Sequence, residues 1–249
     1  MAGETPRERA GRPVPDDAYQ HRYFIGAGRT SRIRLGETRC VRRHIAQTID
    51  PLQLPRGARI LELGCGLGRF SEFLLARSYR VTALDLSDEL VRRLRQDFGG
   101  HDNLVAAVAG DAADVPHLAP GPFDAVVGFF FLHHLATLEP VLDGIARVLA
   151  PGGQIAFCEP NAFNPLVYLQ VTLTPGMSWR GEPSISKMRP SVIFPLLRER
   201  GFSRIESSRY GMLPPAIANT ETGGWLERGI ESLPPLRPFS AYRVFRAAR

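Results

Sequence analysis

Lysine is almost absent. Only Lys187 stands among the 31 basic residues of the 249-residue chain, so arginine carries nearly all the positive charge. That bias reads as genome composition. The basic residues are scattered, with no stripe interleaved with aromatics, so the formal charge of +6 describes a solvated surface and argues against a nucleic-acid partner. Cysteine is also scarce: Cys40, Cys65 and Cys158 are odd in number and show no CxxC or Cys/His spacing. A disulfide framework and a structural zinc site are thereby excluded, and reduced thiols of a cytoplasmic protein are expected. No apolar run is long enough to span a bilayer, so no stable membrane insertion is expected. Met1 to Asp17 is polar and proline-rich with no signal-peptide core, and residues 1–18 read as a disordered lead-in.

What is present is a core. With 44% hydrophobic residues, the chain suits one α/β domain with decoration. Its organising stretch is Ile60-Leu61-Glu62-Leu63-Gly64-Cys65-Gly66-Leu67-Gly68-Arg69-Phe70. The run from Ala58 to Leu63 follows a Pro-Arg-Gly breaker and reads as a strand buried on both faces. Gly64, Gly66 and Gly68 allow a tight turn and close backbone approach to a ligand. From Phe70 the apolar spacing becomes helical. Strand, glycine loop and helix N-terminus make a cradle for a polar ligand.

The spacing separates two ligands. A dinucleotide fingerprint beginning at Gly64 would need its third glycine at position 69, which is Arg69. The register is instead Glu-x-Gly-x-Gly-x-Gly. Further along, Arg80 to Leu84 reads as a second strand ending in Asp85-Leu86-Ser87, with Asp85 placed to accept hydrogen bonds from a ribose and Ser87 to cap the next helix. Asn103 to Ala109 reads as a third strand running into Gly110-Asp111-Ala112. Phe123 to Phe130 is a fourth, expected beside the first, and leads to His133 and His134. Glu139 to Leu149 is a helix stopped by Pro151-Gly152-Gly153; Gln154 to Cys158 is a fifth strand, followed by Glu159-Pro160-Asn161.

This order of motifs, from Arg59 to Asn161, resembles the class I S-adenosylmethionine-dependent methyltransferases of the small-molecule type. The resemblance implies a Rossmann-like, doubly wound, mostly parallel seven-stranded α/β sheet with an antiparallel terminal strand and helical lid insertions. It implies S-adenosylmethionine as cofactor and S-adenosylhomocysteine as product. Glu62, Gly64, Gly66 and Gly68 would surround the methionine part, Cys65 would pack beside it, Asp85 and Leu86 would lie at the ribose, Asp111 and Ala112 at the adenine, and Phe129 at the end of the fourth strand. His133 and His134 would face the transferred methyl, where a histidine can take a proton from the acceptor, and Glu159 is a rival polar candidate. Metal binding is not expected, because adjacent histidines rarely share one ion and no carboxylate pair lies nearby in sequence.

Residues 19–55 read as an N-terminal helical cap, with Tyr19 and Tyr23 as pocket candidates and a helix over Gly36 to Ile49; 56–160 reads as the cofactor-binding core and 161–249 as the second half of the same domain. Two aromatic, proline-broken stretches, 162–185 and 211–238, are expected to form a lid, with Asn161, Tyr168, Trp179 and Trp225 as substrate contacts. An apolar metabolite is the expected acceptor, methylated on oxygen, nitrogen or carbon in biosynthesis by a monomer or homodimer. Alternatives are cyclisation or methylation-coupled rearrangement on the same scaffold, action on a lipid or quinone at a membrane surface, or a non-catalytic relative of the enzyme.

Overall fold

A computed structural model describes residues 38–175 and 177–249; Tyr19, Tyr23 and the lead-in lie outside the described residues. The strands are β1 (Arg59–Leu63), β2 (Arg80–Asp85), β3 (Leu104–Ala109), β4 (Phe123–Phe129), β5 (Leu149–Pro160), β6 (Ser203–Tyr210) and β7 (Tyr242–Ala248). They form one sheet in the order β3-β2-β1-β4-β5-β7-β6. The first five pair in parallel, and β7 runs antiparallel between β5 and β6. The order reverses between β1 and β4, so the carboxyl ends of these strands open a crevice at the switch point.

Apolar residues on both faces of the strands explain why the sheet is covered on both sides. Ile60, Val81, Val127 and Ala156 belong to one core, which Val41 and Ile45 of α1 (Arg39–Thr48) cover. Leu61, Leu63, Val126 and Ile155 belong to the other, packed with Leu142 and Ile145 of α5 (Glu139–Val148) and Ile193 and Leu197 of α7 (Pro190–Glu199). The shorter α2 (Ser71–Ala76) follows the glycine loop, α3 (Asp88–Phe98) follows β2, and α4 (Val115–Leu118) follows β3. Ser87 caps α3 by accepting from the Leu90 N–H, as its position after Asp85 suggests.

Two segments leave the carboxyl edge. After β5 comes α6 (Pro165–Leu173); after β6 come α8 (Pro215–Ala218) and α9 (Glu221–Glu231). They are joined at their base, where the Asn161 side-chain amide donates to the Pro238 and Ser240 carbonyls at 2.8 Å each. Arg43 of α1 pins α9 from below through Glu227 at 2.5 Å and Glu231 at 2.6 Å.

Candidate active site

The glycine loop shows why each glycine is needed. Gly64, Gly66 and Gly68 all have positive φ, at 69°, 54° and 83°. A Cβ on Gly64 would strike Phe131 and one on Gly68 would strike Phe98, so packing alone demands glycine at both. Gly66 differs: a Cβ there would meet nothing within 4 Å. Its outer side is open, and the bare backbone can be approached closely by a ligand.

Two carboxylates hold this loop. Glu62 is buried at the carboxyl end of β1 and accepts from Ser71 Oγ at 2.5 Å. Burial pushes its pKa up to about 8, against the Ser71 hydrogen bond, and the neighbouring Asp85 adds to the rise. Asp85 bridges the loop to β2, accepting from the Gly66 N–H at 2.9 Å and from the Ser87 N–H at 3.0 Å. A carboxylate oxygen can accept more than one hydrogen bond, so these bonds orient Asp85 without exhausting its chemistry. Asp111 accepts from the Ala113 N–H at 2.9 Å and caps the turn after β3, beside buried Ala112. Leu86 is half-buried, and Phe129 stacks on Phe70 at 4.0 Å between ring centroids. Cys65 is buried, and burial raises its thiol pKa well above the ordinary value, which keeps it a packing group.

Beyond β4 the chain turns sharply. Phe130 has φ 57°, a left-handed conformation that bulky residues avoid, and its N–H donates to the Cys158 carbonyl at 2.7 Å. The turn delivers His133 into a buried carboxylate pair. Its Nδ1 lies 2.6 Å from Glu159 Oε2 and its Nε2 lies 3.1 Å from Glu182 Oε2. Burial works against the charged ring, but the hydrogen bonds and attraction of the two glutamates outweigh it and raise His133 to about 9. At neutral pH His133 is therefore an imidazolium with both nitrogens engaged.

Glu159 is engaged in the same way. It is fully buried, and its other oxygen accepts from the Phe131 and Leu132 N–H groups at 3.1 and 2.8 Å. It positions the loop and His133. Asn161 is fully buried too; its carbonyl accepts from Arg243 and Phe163, so the whole side chain is engaged at the base of the insertions.

Glu182, which sequence reading missed, completes the arrangement from the second half of the chain. It lies 3.3 Å from His134 Nδ1, and the ligand-type atoms of His133, His134 and Glu182 fall within 4.8 Å of one another. The carboxylates absent from the local sequence thus arrive through the fold. His134 Nδ1 lies 2.8 Å from the Gly181 carbonyl, which fixes the proton on Nδ1 and makes Nε2 the basic nitrogen. Further bonds fasten this segment, with Ser184 donating to the His133 carbonyl at 3.0 Å and Lys187 Nζ to that of Ala136 at 3.0 Å.

Of the aromatic candidates, Tyr168 and Trp179 meet, with ring centroids 5.9 Å apart. Trp225 stands elsewhere, 71% exposed, with the Arg228 guanidinium 4.5 Å from its ring centroid.

Residues 61–157 match the methyltransferase domain family, the stretch from β1 into β5 that holds the glycine loop and the three acidic strand ends. These residues form a methyltransferase domain, as the order of motifs implies. Over a longer span the enzyme is 29% identical to an S-adenosyl-L-methionine-dependent Diels-Alderase of Talaromyces variabilis, across 82% of this chain and 72% of that protein. It is 39% identical to the demethylmenaquinone methyltransferase of Clavibacter sepedonicus, but that match covers only 41% of each chain. A crystal structure of an S-adenosylmethionine-dependent methyltransferase from Archaeoglobus fulgidus shares the fold, with a TM-score of 0.62 at 17% identity over 91% of this chain and 99% of that one. The open backbone at Gly66 and the acceptors at Glu62, Asp85 and Asp111 suit the cofactor of this family, which presents an ammonium and sulfonium, ribose hydroxyls and an exocyclic amine.

Proposed function

We propose that this methyltransferase acts on a small, largely apolar acceptor bound between the post-β4 loop and the two insertions. The observation that carries the reading is the joining of those elements: the aromatic segment bearing Tyr168 and Trp179 runs directly into Gly181 and Glu182, which hold His134. The methyl donor supplies an activated carbon electrophile, so the protein's share is alignment, exclusion of water and, for a hydroxyl acceptor, removal of a proton.

In this scheme Asp85 binds the ribose and Asp111 the adenine, while Gly66 lets the methionine part lie against the backbone. His134 takes the acceptor's proton through Nε2. His133, held as a cation by Glu159 and Glu182, keeps the His134 loop in place and does not exchange protons at neutral pH. Tyr168 and Trp179 present apolar faces to the acceptor, and whether oxygen, nitrogen or carbon is methylated decides how far the base matters.

A second reading is favoured by a relative that matches 82% of the chain, a Diels-Alderase. Here the same pocket folds an apolar polyene for ring closure and no methyl is transferred. One experiment separates the two: incubation with methyl-labelled S-adenosylmethionine and a panel of phenols, quinols and polyenes, followed by mass spectrometry. Methyl transfer adds one methyl group and yields S-adenosylhomocysteine; cyclisation leaves the mass unchanged and consumes no cofactor. No change in any acceptor would count against both.

A further inference from the structure

Helix α9 is built inside out. Its buried residues are Gly223, Gly224 and Glu227, and Glu227 meets Arg43 and accepts from the Met212 and Leu213 N–H groups, whereas Trp225 and Leu226 point to solvent at 71% and 54% exposure. Amphipathic helices of water-facing domains show the opposite pattern. Helix α6 departs from that rule in its own way: apart from Gln170 and Thr172 it is apolar or aromatic, yet only Val171 is buried, and Leu166, Leu169 and Leu173 are all more than half exposed. Both helices rise from the carboxyl edge of the sheet, and the hydrogen bonds of Asn161 tie their bases together.

We propose that this edge is a docking surface for an anionic lipid bilayer, with α6 and α9 seated in the headgroup region. The charge pattern selects that occupant. The exposed charges on the two insertions are Arg180, Arg228 and Arg237 against Glu221 alone, because Glu182 and Glu227 are buried and Glu231 is paired with Arg43. A second copy of the chain would set arginine against arginine across a two-fold contact. Anionic headgroups neutralise the arginines while the acyl boundary takes up the leucines and tryptophan. No helix among the described residues is long and apolar enough to cross a membrane, so the contact is interfacial. The inference goes beyond the reading of the acceptor and stands without it.

The test is flotation of the full chain with vesicles of phosphatidylcholine mixed with phosphatidylglycerol and with vesicles of phosphatidylcholine alone. The protein is expected to float with the anionic vesicles, to be released by salt, and to bind the neutral ones far more weakly. The double variant Leu169→Asp, Trp225→Asp should lose roughly tenfold or more in vesicle affinity. Its melting temperature and S-adenosylhomocysteine binding should stay as in the parent, because both side chains are exposed. Absence of flotation with either vesicle overturns the proposal. So does vesicle binding that the double variant leaves intact, or a stable dimer in solution that the variant splits while vesicles have no effect.

Discussion

Replacing His133 by glutamine removes the cation between Glu159 and Glu182, and its effect on stability should depend on pH in a defined direction. The folded protein holds His133 at about 9 against 6.5 for an ordinary histidine. A raised pKa means that the folded state binds the proton more tightly, so the stabilisation is whole below pH 6.5 and disappears as pH rises through 9. At about 1.4 kcal/mol per pH unit, the gap corresponds to about 3 kcal/mol. Below pH 6.5 the variant also leaves two buried carboxylates without their cation, at a cost of about 3–5 kcal/mol. Glu62, raised to about 8, ionises over part of the same range and weakens both proteins alike as pH rises. Subtracting variant from parent therefore isolates the histidine. Urea unfolding followed by circular dichroism at stepped pH should show a difference that is largest near pH 6 and smaller by about 3 kcal/mol above pH 9. A difference constant from pH 6 to 10 would show that His133 is neutral in the fold and would restore it as a candidate base.

Other outcomes follow from the same geometry. Asp85→Asn should lose about 2–3 kcal/mol of S-adenosylmethionine binding, read by calorimetry, because a neutral amide replaces a charged acceptor while one oxygen still holds the loop. Gly66→Ala should cost about 1 kcal/mol of stability in a thermal melt, since the space beside it is open, yet abolish cofactor binding. Gly68→Ala should be the more destabilising change, because its Cβ meets the Phe98 ring. His134→Ala should reduce turnover on a hydroxyl acceptor by about 10²–10⁴ with cofactor affinity nearly unchanged, and an equal rate in the variant at every pH would remove it as base.

The sheet was legible because its chemistry is local. β1 and β2 are short apolar runs closed by Gly64 and Asp85, β4 is a third such run, and the Ser87 cap sits one residue before α3. β5 was harder: it begins at Leu149, before the Pro151-Gly152-Gly153 stretch that reads as a stop. Pairing of Phe123 with Leu149 and of the Gly152 N–H with the Arg249 carbonyl holds that stretch in the sheet. The glycine loop was legible by spacing, whereas the histidine and glutamate cluster was only half so. Histidines 133 and 134 announce themselves, but Glu182 lies in an aperiodic segment and reaches them only through the fold. Trp225, Leu226 and Ile230 are spaced for a helix, but the spacing leaves open which side faces the protein. Periodicity is the same either way; the ion pairs of Glu227 and Glu231 with Arg43 turn the apolar side outward.

The most direct test of the central claim is calorimetric titration of the cofactor-free protein with S-adenosylhomocysteine, run beside Gly66→Ala. Binding in the micromolar range, on the order of −8 kcal/mol, with no heat from the folded variant, is the predicted result. Absence of binding to the parent, or equal binding to both proteins, would contradict the placement of the cofactor on the glycine loop.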